Sequence, residues 1–239
     1  MGLSESETVF IASFTSFISI CWTELGHQIQ KRCSLPEEMA EHIVSLIHSL
    51  LIIVMTGECL RKERPYFDYK QKTNMYEELC LFVSLGYFLY DTCNWEFRGD
   101  VSRIILSHHI CTLFGMLQAL SDKTSGAACL MCLLILEGGN PLLHNRRLIM
   151  IAGHIRSGLI YQVIECSFFI FFFLFRFVLG LRFFNFLIAT KAPHYMRMTG
   201  TMMLMISIVF FKKMLEHLIS KVVYVYSYLK KIRFKNKPS

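Results

Sequence analysis

The 239-residue chain has no internal repeat and no low-complexity region, which argues against a solenoid or a compositionally biased linker. Its nine cysteines are scattered along apolar segments. The single CxxC, Cys129 to Cys132, has no second pair to complete a zinc site or a disulfide framework, so it reads as packing. One His-His pair and one Asp fall short of the several histidine clusters of membrane di-iron enzymes. No metal and no cofactor are expected. The first residues are acidic and no small-residue cleavage site follows the first apolar run, so no cleavable signal peptide is expected. Nucleic acid is not an expected partner either. The net charge of +7 comes largely from the C-terminal tail and suits anionic lipid head groups.

Apolar sequence is what the chain has in quantity. It is 54% hydrophobic with 21 Phe, and its mean hydropathy is +0.43. Long apolar runs at this density predict an all-α, polytopic transmembrane bundle of about seven spans. They fall at residues 9–22, 43–59, 75–95, 101–120, 127–136 and 158–180, with the last running from 199 past 211. Residues 1–36 form an N-terminal transmembrane segment and link. Residues 37–229 form the main domain, and 230–239 a basic, disordered cytosolic tail.

The third and fourth spans form a hairpin around the short polar turn Glu96 to Asp100. The third carries Asp91 and the fourth carries His108 and His109. Counting from the turn, acid and histidines lie at a similar depth, roughly 6–10 Å into the membrane. Ionisable groups inside a span are costly and mark candidate functional sites. An Asp–His contact across the hairpin is therefore expected. Tyr87, Asp91 and Asn94 share one helix face. His108, Thr112 and Gly115 share another, with His109 turned about 100° away, so only one histidine should face Asp91 squarely. His48 also lies within a span and is a candidate to line the same cavity.

The fifth run ends in Glu137-Gly138-Gly139-Asn140-Pro141. Two glycines and a proline cannot continue a regular helix, and an acid at such a break suits a polar membrane site. A plain loop at the membrane edge is the other reading. The sixth span holds Glu165 and Arg176 on one face, about 16 Å apart along a regular helix. They cannot pair directly; each needs another partner, or Arg176 snorkels to a head group. Lys212 and Lys213 either mark the exit of the seventh span or lie on a longer helix. Residues 215–229 read as an interfacial extension.

Loop charge places the C-terminus in the cytosol. Lys235 and Lys237 resemble the dilysine retrieval signal of endoplasmic-reticulum membrane proteins. Met1 to Ser6 fits a myristoylation pattern that needs the opposite topology; charge balance favours the C-terminal signal. On this reading, replacing Lys235 and Lys237 by Ser releases a fraction of the protein to later compartments, visible by organelle fractionation.

Several pieces recur together in order. They are Ser45 to His48, Leu85 to Asp91, Ser107-His108-His109, and Glu137 to Leu143 followed by Arg146. This ordered set resembles the TLC (TRAM–LAG–CLN8) domain family over most of the chain. The resemblance implies a cavity formed by six spans from the second onward. The family includes ceramide synthases, which transfer a fatty acyl group from acyl-CoA to a sphingoid amine with a catalytic histidine pair. Carried over, His108 and His109 are the catalytic pair and Asp91 orients one imidazole. His48, Tyr87, Glu137, Asn140, Arg146 and Arg176 are candidates for binding substrate. Membrane lipids and acyl-CoA are then the expected partners. Two departures stand out. Glu137 and Asn140-Pro141 replace the synthases' His-Asp…Asp motif, and Arg147 stands where the family has Trp. Other members are described as lipid sensors, regulators of membrane composition or cargo receptors. The function expected is thus lipid homeostasis in the endoplasmic reticulum, by acyl transfer or by non-enzymatic lipid sensing. The same Asp and histidines would also suit a buried clasp that fixes helix register, and the broken fifth helix a channel or transporter.

Overall fold

A computed structural model describes residues 4–63, 72–98, 103–153 and 158–235. Outside them lie Met1 to Leu3, most of the charged loop after Arg61, the end of the hairpin turn, His154 and Arg156, and the last four residues.

Local chemistry sets the helix ends. In α1 (Glu5–Cys33), Ser4 and Glu7 form a reciprocal capping box, which satisfies orphan N-terminal donors. The helix closes on Ser34 in the left-handed region. Pro36 precedes α2 (Glu37–Glu63), where its fixed φ suits a helix start. In α3 (Met75–Arg98), Asn74 and Glu77 cap each other at 2.8 and 3.0 Å. After α4 (Arg103–Asp122), Asp122 Oδ1 accepts from the Thr124 and Ser125 amides. Lys123 in this turn bonds Glu7, which raises the ammonium pKa and ties the turn to the start of α1.

Next come α5 (Gly126–Glu137) and α6 (Asn140–Ile151). The break between them is real but mild. Gly138 and Gly139 stay in right-handed helical conformation, and Pro141 falls in the first turn of α6, where its missing N–H costs little. The two helices make one 26-residue rod, 126–151. The rod 159–189 is also interrupted. Here α7 (Leu159–Phe173) passes through a π-helical turn, Leu174–Leu179, into α8 (Gly180–Ala189). The last helix, α9 (His194–Lys235), has 42 residues, about 60 Å of rise against a hydrocarbon core of about 30 Å. Lys212 and Lys213 therefore lie on a longer helix, and 230–235 is helical where a disordered tail was expected.

Among the described residues the fold is thus an all-α bundle of seven rods. Five stretches of them, 5–33, 37–62, 103–122, 126–151 and 159–189, are long and apolar enough to cross a membrane. α3 and α9 pack among them. α5, apolar all round, is largely buried and touches α2, α3, α4 and α8. α1 lies outside, against α3 and α2. Its seat is Gly86 of α3, where a Cβ would fall 2.5 Å from Ile18 Cγ2 and 3.1 Å from the Ser19 backbone nitrogen. Small residues at such crossings let membrane helices approach closely. Gly86→Val should push α1 away and cost about 1–3 kcal/mol, measurable as thermal unfolding in detergent; an unchanged midpoint would rule out this close seat.

Candidate functional site

The sequence-predicted residues fall into three polar clusters beside one apolar cavity. In the first, α3 and α4 bring Asp91 and His109 together across the hairpin. Asp91 Oδ2 lies 3.4 Å from His109 Nε2. On the other side of the ring, Nδ1 lies 3.1 Å from Thr92 Oγ1. Thr92 has one hydroxyl proton and donates it to the Phe88 carbonyl at 2.6 Å. With that proton committed, its oxygen can accept from His109 Nδ1–H in the tautomer that carries the proton there. Nε2 then turns a lone pair toward the carboxylate unless a proton lies between them. His108 points elsewhere, as the 100° offset requires. It is buried beside the Phe88 ring edge, and its Nδ1 has no hydrogen-bond partner.

The second cluster joins α2, α3 and α5. His48 is fully buried and stacked on Tyr87, with centroids 3.7 Å apart and planes 7° from parallel. Its Nε2 meets Ser84 Oγ at 3.3 Å and its Nδ1 lies 3.9 Å from Glu137 Oε2. Asn140 donates to the same carboxylate oxygen at 3.0 Å. Trp22 of α1 closes the cluster edge-on to both rings. Phe88 stands between this cluster and the histidine pair, within 5.8 Å of His48 and 5.4 Å of His109. His48 therefore belongs to a packed polar core and does not line the cavity.

The third cluster lies where the ends of α6 and α9 meet the start of α7. Glu165 is 2% exposed. Arg146 reaches its Oε1 with Nε and Nη2, each at 3.1 Å. Tyr161 donates to that oxygen at 2.9 Å and His217 Nε2 lies 3.4 Å away. Lys221 bonds Glu165 Oε2 and Gln162. Arg146 is therefore the partner Glu165 needed, and it stands outside the histidine site with which the sequence grouped it.

The cavity, about 80 Å³, lies between α4, α5, α8 and α9. Of the six rods expected around it, α2 and α3 are closed off by the packed His48 cluster. Its lining is almost wholly apolar, with Met116, Ala128, Leu133, Phe183, Leu187 and Met203 among the wall residues. Cys129 and Cys132 line it as free thiols. Of the nine residues picked from sequence, Arg176 alone lines it. It sits in the π turn, the kind of helix irregularity found frequently at functional sites. The extra residue per turn also voids the regular-helix spacing between Glu165 and Arg176. Arg176 does not snorkel. It is 8% exposed, donates to the Leu136 carbonyl at 2.8 Å through Nη2, and leaves Nη1 with no hydrogen-bond partner. His108 is within its electrostatic reach, and Thr112, one turn along α4 from His108, is part of the wall.

Sequence reasoning missed most of this wall. Its signal was the face shared by His108, Thr112 and Gly115, the last two of which line the cavity. No group of three or more His, Cys, Asp or Glu side chains able to hold a metal occurs among the described residues.

A family model described as the TLC domain (TRAM_LAG1_CLN8) matches residues 38–216. That match takes in Asp91 with the histidine pair, His48 with Glu137, Arg146 with Glu165, and all of the cavity wall; Trp22, His217 and Lys221 lie outside it. The chain is therefore a multi-pass membrane protein that belongs to the TLC domain family.

Proposed function

We propose that the protein handles the acyl chain of a membrane lipid in this cavity, as part of lipid homeostasis in the endoplasmic reticulum. One observation carries the reading: an apolar cavity of about 80 Å³ ends at a buried arginine whose Nη1 has no hydrogen-bond partner. Ligand sites are commonly concave and mostly apolar, with a few placed polar groups. Residues 37–229 would be the lipid-handling domain, in the branch of the family that resembles TLC domain-containing protein five. Sensing or regulating lipid composition needs no more than this.

A second reading, acyl transfer from acyl-CoA, is favoured by the Asp91–His109 pair and by His108 Nδ1, which has no hydrogen-bond partner. His108 would attack the thioester carbonyl. The N–C bond forms as the C–S bond breaks, and the CoA thiolate leaves. A lipid amine then takes the acyl group, its proton passes to the thiolate, and free imidazole returns. Asp91 and His109 would hold the adjoining proton.

Lipidomics of cells lacking the protein tests both. Wild type should restore the lipid profile. Restoration by His109→Ala to the same extent would remove the catalytic reading and leave the binding one. A hydroxylamine-labile acyl adduct on protein given acyl-CoA, lost in His108→Ala, is the result that transfer requires.

A further inference from the structure

We propose that Arg176 is the head-group anchor of the cavity, and that the ligand it selects is a single-chain amphiphile with a carboxylate head, a long-chain fatty acid. The inference rests on the lipid-pocket reading and names the ligand class for it.

The cavity holds one strong unmet demand. Arg176 is a cation at membrane depth, contributed by the π turn to an otherwise apolar chamber. One arm of its guanidinium is fixed on the Leu136 carbonyl, while Nη1 is buried without a hydrogen-bond partner. The facing groups do not meet that demand. Glu137 is close enough to act on Arg176 electrostatically, and the guanidinium lies 5.7 Å from the Phe172 ring centroid, but the Glu137 carboxylate is turned to Asn140 and His48 and neither group hydrogen-bonds Nη1. Cys132 is a free thiol. The Thr112 hydroxyl donates to the His108 carbonyl, and Ser207 donates to the Met203 carbonyl. His108 adds a second buried nitrogen with no partner, Nδ1. A buried charge left alone is strongly unfavourable, and an opposite charge with well-placed hydrogen bonds relieves it. Guanidinium matches a carboxylate in geometry as well as in charge.

The rest of the wall narrows the choice. A phosphocholine or a coenzyme A head would bring bulk and further charges that the remaining lining, chiefly Met, Leu, Phe, Ala and Gly, cannot satisfy. An alcohol or an amide would fill the chamber but give Nη1 no anionic hydrogen-bond partner. A carboxylate on one long chain meets both requirements.

Full-length protein in detergent, incubated with a diazirine-bearing palmitic acid, should be photolabelled on the peptides that carry Cys132 and Leu133 or Met203 and Leu204. Unlabelled palmitate should compete at least about tenfold better than hexadecanol or palmitamide, the ratio expected of one charge-assisted hydrogen bond. Arg176→Gln should lower palmitate labelling by a similar factor and leave labelling by a diazirine hexadecanol in place. Arg176→Lys, which keeps the charge, serves where the glutamine variant does not fold, and should retain the preference for acid over alcohol at reduced affinity. Equal competition by acid and alcohol, or undiminished palmitate labelling in a folded Arg176→Gln protein, overturns the anchor while the lipid pocket stands. Failure of acid and alcohol alike to label the cavity peptides overturns both. Stronger competition by lysophosphatidic acid than by palmitate would also overturn the carboxylate assignment, in favour of a phosphate head.

Discussion

Glu165→Leu should lower the unfolding temperature by roughly 5–10 °C, the largest loss expected from a single conservative-volume change in this protein. Glu165 is the one acid among Arg146, Lys221 and His217 in this cluster. Its removal leaves two permanent cations side by side, with Arg146 side-chain exposure only 18% and Lys221 30%. Breaking a buried pair by deleting one partner costs about 3–5 kcal/mol when the survivor stays buried. Partial exposure of Lys221 puts the figure here near the lower end. Both cations also lie over the Tyr161 ring, at 5.5 and 5.6 Å, so they lose a carboxylate and keep a weaker partner. Because the cluster joins α6, α7 and α9, the expected event is separation of the lower part of α9 from the bundle. Limited proteolysis within residues 212–235 should therefore accelerate with the thermal loss. Adding Arg146→Leu to Glu165→Leu should recover part of the stability, because it removes the stranded charge. A Glu165→Leu protein as stable as wild type would show that the cluster is solvated and contributes little.

The hairpin site was legible in sequence because it depends on few quantities. The rise per residue and a short turn fix the relative depth of Asp91 and His109, and the offset between successive helical residues decides that only one histidine meets the acid. The seven rods were legible from apolar runs alone. Other features depend on what a one-dimensional reading cannot hold. The π turn at Leu174–Leu179 shifts the register of Arg176 without a sequence mark, so a regular-helix distance from Glu165 was the wrong measure. Arg146 finds Glu165 across the α6–α7 turn, and Lys221 arrives from a part of α9 that read as an interfacial extension. The break after Glu137 was visible as irregular sequence. That Gly138 and Gly139 would keep right-handed helical angles was not, since glycine permits many backbone conformations. A Cβ at Gly138 would lie 2.2 Å from the Phe175 ring, so this glycine answers to packing as much as to backbone freedom. The cavity was the least legible feature. Gly115, Ala128, Gly180 and Gly200 line it with little side-chain volume, and unfilled space has no sequence motif.

Gly115→Phe should empty that space of lipid while leaving the bundle folded, and so separates a lipid pocket from a purely structural histidine clasp. A Cβ at Gly115 meets Thr199 Cγ2 at 3.9 Å and nothing else within 4 Å, which is ordinary contact. Phenylalanine lies between alanine and glycine in helix propensity, so the change also gains about 0.5 kcal/mol, and the backbone has reason to accept it. Gly115 and Thr199 both line the cavity, and the ring has the chamber as its place to go. There it occupies volume that an acyl chain would need and buries its own apolar surface, at about 25 cal/mol per Å². A competitor held covalently at the site cannot be displaced by mass action. Labelling of the cavity peptides by photoreactive palmitate should fall at least about tenfold, equivalent to about 1.4 kcal/mol, with an unfolding temperature at or above wild type. The lipid profile of cells rescued with this variant should match that of cells lacking the protein. His109 keeps Asp91 and Thr92 in Gly115→Phe, since the substitution lies more than a helical turn away on α4. Full rescue by a folded Gly115→Phe protein would therefore mean that the histidine cluster works without the cavity, and the lipid-pocket reading would fail.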